Sequence, residues 1–275
     1  MQLTEQQLNH FRSFGFLTFR QYLTPDEQKT YSDEFDAALE ARRLQLGGDV
    51  KRVWTTLMGD NTPFIASLID DPRFADPAKQ VLGGDPIGIV TDGNYYVGDT
   101  QWHPDMAHCP YRAAKFVLYL DELDASNGAL RVIPGSHRDP LHSDLRALLL
   151  DQSAQGKRRS NLSSTLGISP DQVPAYSFAS EPGDALLFNN AIWHAAFGGG
   201  DRRRMGTVIY YEDPQTPESV ANTQTMMRKN HDKHATEWGE QFYPEHWRSV
   251  DDSRHQRWVR RLDELDILET PLTPA

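Results

Sequence analysis

One cysteine, Cys109, stands in 275 residues. A lone thiol excludes an intrachain disulfide framework and fits a reducing compartment, so the expected location is cytoplasmic. Cys109 reads as a small buried hydrophobe rather than a soft metal ligand. Positive charge is also short: 28 Lys and Arg face 39 Asp and Glu, a formal net charge of −11. That argues against nucleic acid or an anionic membrane as a general partner, because both need a basic surface. It leaves room for a local basic pocket. No apolar run approaches the roughly 20 residues that cross a bilayer. The stretch Met1 to Gln6 has neither a basic nor an apolar leader pattern, so no signal peptide is expected. There is no internal repeat and no Pro/Ser linker, and the expected organisation is one domain over 1–275.

What is present begins with helices, expected over 1–85. Thr4-Glu5-Gln6-Gln7 is a capping box ahead of a helix that stops at Gly15. Phe16 to Phe19 is a short strand signal. Thr24-Pro25-Asp26-Glu27 opens a second helix, expected to reach about Leu46 and end at Gly47-Gly48. Pro63 to Leu68 and Pro72 to Leu82 read as shorter helices. From Pro86 the texture becomes strand-like: Ile87 to Val90, Asn94 to Val97, Ala114 to Leu120, Leu130 to Ile133, Ala185 to Phe188 and Gly206 to Tyr211. A polar, Ser-rich segment over about 140–174 reads as an insertion between strands. A helical tail is expected over 213–275, with Trp238, Phe242, Trp247 and Trp258 available to dock it. The predicted fold is mainly β with flanking helices, its core over 86–212 a jelly roll of the cupin kind.

The chemistry centres on Gln101-Trp102-His103-Pro104-Asp105. Strand side chains alternate, so His103 and Asp105 are expected on one side. A second His arrives 194 − 103 = 91 residues later, in Trp193-His194. Two His and one carboxylate on one face of a metal leave three positions open. From these residues alone the metal could be Fe(II), Mn(II) or Zn(II). An oxygenase, a cupin-like isomerase, a metal-dependent hydrolase and a non-catalytic ligand-binding barrel all stay open.

Further blocks surround the triad in order. They are Asn127-Gly128-Ala129-Leu130-Arg131-Val132-Ile133-Pro134-Gly135-Ser136-His137, then Pro182-Gly183-Asp184 running to Phe188, then His194 and the run Arg202-Arg203-Arg204. With these, the stretch from Asn94 to Tyr211 resembles the phytanoyl-CoA dioxygenase family of Fe(II)/2-oxoglutarate oxygenases. The resemblance implies a double-stranded β-helix. It implies Fe(II) on His103, Asp105 and His194, with 2-oxoglutarate and O2 as the other reactants. It implies hydroxylation of a small molecule, here expected to be a polar metabolite or natural-product intermediate. Asp105 itself favours oxidation over halogenation, since related halogenases replace that carboxylate.

An arginine about ten residues after the second His is implied as the anchor for the far carboxylate of 2-oxoglutarate. Arg204 is expected to fill that role, with Gly206 in the small-residue place two further on. Arg203 is then expected on the opposite face and Arg202 in solvent. Gln101 and Asn94 are expected to help hold the cofactor. His108, Tyr96 and Trp193 are expected substrate contacts, and Pro134 to His137 a structural turn.

Overall fold

The computed structural model describes residues 1–48, 52–106, 112–149, 167–200, 203–238, 243, 247 and 254–268. Helix α1 (Glu5–Phe14) starts at Thr4, whose hydroxyl accepts from the Gln7 N–H while the Gln7 side chain accepts from the Thr4 N–H. It ends at Gly15, where φ is +85°, and strand β1 (Phe16–Phe19) follows at once. Helix α2 (Pro25–Gln45) has the same cap, made by Thr24 and Glu27. Next come β2 (Arg52–Thr56), α3 (Pro63–Ser67) and α4 (Pro72–Leu82). The core follows as β3 (Pro86–Tyr96), β4 (Thr100–His103), β5 (Ala113–Tyr119) and β6 (Leu130–Val132). After α5 (Leu141–Leu149) come β7 (Tyr176–Ser177), β8 (Ala185–Asn189), β9 (His194–Ala196) and β10 (Arg203–Glu212). Helices α6 (Pro217–Trp238) and α7 (Arg254–Glu264) close the described chain.

The strands form two antiparallel sheets, ordered β1-β8-β5-β10-β3-β2 and β4-β9-β6-β7. Strands β3 to β10 alone make two facing sets of four, the jelly-roll pattern. The large sheet takes its two edge strands, β1 and β2, from the first 85 residues, so the sheet begins earlier than the expected core. The two expected strands at Ile87 and Asn94 are one strand. Asp92-Gly93 between them is no turn: a Cβ on Gly93 would lie 2.8 to 2.9 Å from Phe35, Leu39 and Leu57. The glycine lets α2 pack close on the sheet.

Three apolar clusters separate the layers. Tyr31, Phe35, Leu39, Phe74, Tyr210 and Leu262 bind the helices to the outer face of the large sheet. Val117, Tyr119, Leu130, Val132, Leu186 and Phe188 lie between the sheets. Trp102, Trp193, Ile133, Leu145, Leu149 and Phe197 cover the outer face of the small sheet. The first part of the expected insertion, α5, belongs to this third cluster; residues 150–166 lie outside the described set. The tail docks through Trp247, whose indole N–H donates to the Met58 carbonyl at 3.1 Å, and through Trp258, which packs over Gly88. Phe242 and the Trp238 side chain fall outside the described residues. Among the described residues no helix is long and apolar enough to cross a membrane.

Glu27 ties the cap of α2 to α4. Arg73 donates to both its oxygens, at 2.6 and 3.0 Å. These bonds, opposed by desolvation, lower its pKa from 4.5 to about 2. A folded-state pKa below the unfolded one adds stability above the unfolded value and loses it as pH falls through the folded one. Stability is therefore expected to fall between about pH 4.5 and 2. Glu27→Gln should cost about 1–2 kcal/mol at pH 7 and flatten that fall. Urea unfolding of both proteins at pH 7 and pH 3 measures it; equal pH slopes would show that the pair contributes nothing.

Candidate active site

Strands β4 and β9 are neighbours, with His103 opposite His194 and ring centroids 4.3 Å apart. Strand β4 stops at His103, so Asp105 is not delivered by continued alternation. A turn delivers it: the Asp105 and Met106 N–H groups both donate to the Asn190 carbonyl, at 3.0 and 3.2 Å. Asp105 Oδ1 then lies 3.8 Å from His103 Nε2 and 3.7 Å from His194 Nε2. Two donors each about 2.1 Å from one ion stand about 3.0 Å apart at a right angle and about 4.2 Å at a straight one. Both His–Asp separations fall inside that range, and the three donors lie within 4.8 Å of one another. The far ring nitrogens are fixed by carbonyls: His103 Nδ1 meets Gln101 O at 2.7 Å and His194 Nδ1 meets Ile192 O at 3.0 Å. A carbonyl only accepts, so each Nδ1 carries the proton and each Nε2 presents its lone pair. These residues fit a divalent metal ion.

Lys115 of β5 reaches the same cluster from the large sheet. Its Nζ is 2.5 Å from Asp105 Oδ2 and 5.1 Å from the centre of the Phe188 ring. Desolvation raises the Asp105 pKa, but the Lys115 ammonium, joined by the two imidazoles when they are protonated, outweighs it and holds the carboxyl well below the usual range. Burial pushes the Asp92 carboxyl up, against a 2.7 Å hydrogen bond from the Thr207 hydroxyl and the nearby charge of Lys115. Sequence reading passed over Lys115 because it sits in an apolar strand buried on both faces. A lone lysine in such a strand was the available signal.

The two arginines of β10 occupy faces opposite to those expected. Arg204 points outward to α2. Its guanidinium donates to Asp36 at 2.8 Å, to Ser32 at 2.9 Å and to Asp121 at 2.8 and 3.0 Å. Gly206 shares that face, and a Cβ there would lie 1.7 Å from the Tyr31 hydroxyl oxygen. The small residue thus clears space for α2 and not for a cofactor. Arg203 points inward and is 5% exposed. It donates to Gly128 O at 2.9 Å and Thr100 Oγ1 at 3.4 Å, and lies 5.4 Å over the Tyr96 ring. Among the described residues no carboxylate pairs with it. A Cβ on Gly128, where φ is +106°, would stand 2.8 Å from its Nη1, and one on Gly199 would stand 3.0 Å away. The Asn-Gly block therefore makes room for this guanidinium. Tyr119 lies beside it; burial pushes the phenol up to about 12, with the Arg203 charge opposing.

The remaining expected residues divide. Asn94 is buried, and its Oδ1 accepts from Arg52 Nε at 3.2 Å and Nη2 at 2.9 Å. Gln101 serves the site through its carbonyl, on His103. Tyr96 lies on the inner face, between the guanidinium groups of Arg52 and Arg203. Trp193 is turned away: one step from His194 along the strand, it is buried behind the small sheet and donates to His142 O at 3.3 Å. His108, Cys109 and Arg202 lie outside the described residues. Ser136, in the Pro134–His137 turn, accepts from the Trp193 N–H at 2.9 Å, a bracing contact. Asp184 accepts from Arg20 and from the Gln21 N–H, bracing the turn into β8.

Comparison with known proteins places the chain in a family. A family model described as phytanoyl-CoA dioxygenase (PhyH) matches residues 11–205. An ectoine dioxygenase of Streptomyces anulatus is 27% identical over 151 residues, 48% of this chain. The match spans about half the length of that relative. An ectoine dioxygenase of Nocardia farcinica is 24% identical over 213 residues, covering 70% of this chain and 71% of the relative. Among solved structures, HygX from Streptomyces hygroscopicus, with nickel and 2-oxoglutarate bound, has a TM-score of 0.58 at 18% identity. It covers 79% of this chain and 94% of that one, a likeness of fold. The family model spans most of the chain, from α1 through both sheets to the start of β10, and on that match the chain belongs to the phytanoyl-CoA dioxygenase family.

Proposed function

We propose that this protein is an Fe(II)- and 2-oxoglutarate-dependent oxygenase that hydroxylates a C–H bond of a small polar molecule. The observation that carries the reading is an open three-ligand cluster sharing an interior with a buried arginine that has no anionic partner among the described residues. His103, Asp105 and His194 would hold the iron. Arg203, rather than Arg204, would take the distal carboxylate of 2-oxoglutarate, because a guanidinium suits a carboxylate bidentately and Arg204 is already paired twice. Thr100 and Tyr119 would flank that carboxylate. Iron with bound keto acid activates O2 for C–H oxidation. The chain's part is to keep three donors to one side, orient the keto acid, and exclude water with the wall of Val117, Leu186 and Phe188. The distal carboxylate of a keto acid supplies the anion that Arg203 lacks among the described residues, an anchor that hydrolysis does not require.

The relatives named ectoine dioxygenase support a compatible-solute type of substrate, and ectoine is the first compound to try. The test is succinate release from 2-oxoglutarate with Fe(II) and O2, with ectoine and other small polar molecules offered in turn. Substrate-stimulated, O2-dependent succinate release and a product heavier by one oxygen are expected. Turnover that ignores 2-oxoglutarate would refute the reading.

A further inference from the structure

We infer that Lys115 is a positioning residue: its ammonium occupies the second oxygen of Asp105, so that the carboxylate offers the metal one oxygen only. The inference rests on the metal-site reading above. Asp105 splits its two oxygens between two sheets. Oδ1 faces both imidazoles of the small sheet, at 3.7 and 3.8 Å, while Oδ2 meets Lys115 Nζ of the large sheet at 2.5 Å. The Lys115 side chain is 12% exposed and backed by the face of Phe188, so it is held in place rather than waving in solvent.

A carboxylate can bind a divalent ion through one oxygen or both. With both, the protein would fill four of about six positions and leave two. A keto acid chelating through two atoms would then leave none for O2. With Oδ2 held by Lys115, three positions stay open. The ammonium also repels the divalent ion. Lys115 thus gives up metal affinity for open positions, and this predicts opposite effects on two ligands.

The experiment is anaerobic titration of wild type, Lys115→Met and Lys115→Arg with Mn(II), then of each Mn(II)-loaded protein with 2-oxoglutarate. Lys115→Met should bind Mn(II) about 5- to 10-fold more tightly, having lost a nearby like charge. It should bind 2-oxoglutarate, a dianion that loses a nearby cation, about 10-fold more weakly. Lys115→Arg, which restores a cationic donor, should return both values towards wild type. General damage to the fold would weaken both ligands together. Should the Met variant fail to fold, Lys115→Gln removes the charge but keeps a donor, and is expected to tighten Mn(II) as well. Mn(II) affinity equal to or below wild type in the charge-removing variant overturns the role of Lys115 alone. A wild type that binds Mn(II) no better than Asp105→Ala overturns the metal-site reading, and the inference with it.

Discussion

Replacing Arg203 with Ala is expected to weaken 2-oxoglutarate binding by about 2–5 kcal/mol, the loss seen when one partner of a buried charge pair is truncated. Arg203 is enclosed by Gly128, Gly199, Thr100 and the Tyr96 ring, and among the described residues its hydrogen bonds go to two neutral oxygens. A buried guanidinium in that state carries a desolvation cost that an arriving carboxylate offsets. Metal affinity should change little, because the triad is positioned by β4, β9 and the Asn190 carbonyl. Arg204→Ala should behave in the opposite way. It strips Asp36 and Asp121 of their shared partner and should cost about 1–3 kcal/mol of stability, with cofactor affinity nearly unchanged. Calorimetric titration of Mn(II)-loaded variants with 2-oxoglutarate, beside urea unfolding, separates the two. Loss of cofactor binding in Arg204→Ala with a silent Arg203→Ala would contradict the assignment.

Asp105→Ala is expected to abolish coupled turnover. Its effect on metal affinity should exceed the roughly 10- to 100-fold typical of losing a group behind a ligand. The same change leaves the Lys115 ammonium facing the metal site without its nearest counter-charge. The ion would then meet two imidazoles and a repelling cation. Asp105→Asn keeps the shape but removes the charge, and should fall between Ala and wild type in metal affinity. Mn(II) titration followed by succinate assay measures both. Coupled turnover at the wild-type rate in Asp105→Ala would show that another carboxylate completes the site.

The triad was legible because a Trp-His pair occurs twice inside ordered blocks, and the fold needed only to close a 91-residue gap between His103 and His194. The reason first read for Asp105 was incomplete: its position comes from a turn held by Asn190, a contact 85 residues away that spacing does not show. The faces of the two arginines were misread for a related cause. Two adjacent arginines must face opposite ways on a strand, yet nothing local marks which face is inward. That depends on Asp36 and Ser32 of α2, which claim Arg204 from 168 and 172 residues away. Gly206 misled because a missing side chain gives no sign of what fills its place; Tyr31 does. Strand β2 escaped because a five-residue edge strand between helices is defined mainly by its partner, β3.

The central claim is that one interior holds iron on His103, Asp105 and His194 and 2-oxoglutarate on Arg203. The most direct measurement is the visible spectrum of Fe(II)-loaded protein titrated anaerobically with 2-oxoglutarate. A weak metal-to-ligand charge-transfer band is expected in wild type, at much higher 2-oxoglutarate in Arg203→Ala, and not at all in Asp105→Ala. Stoichiometrically bound iron with no band at saturating 2-oxoglutarate would contradict the account.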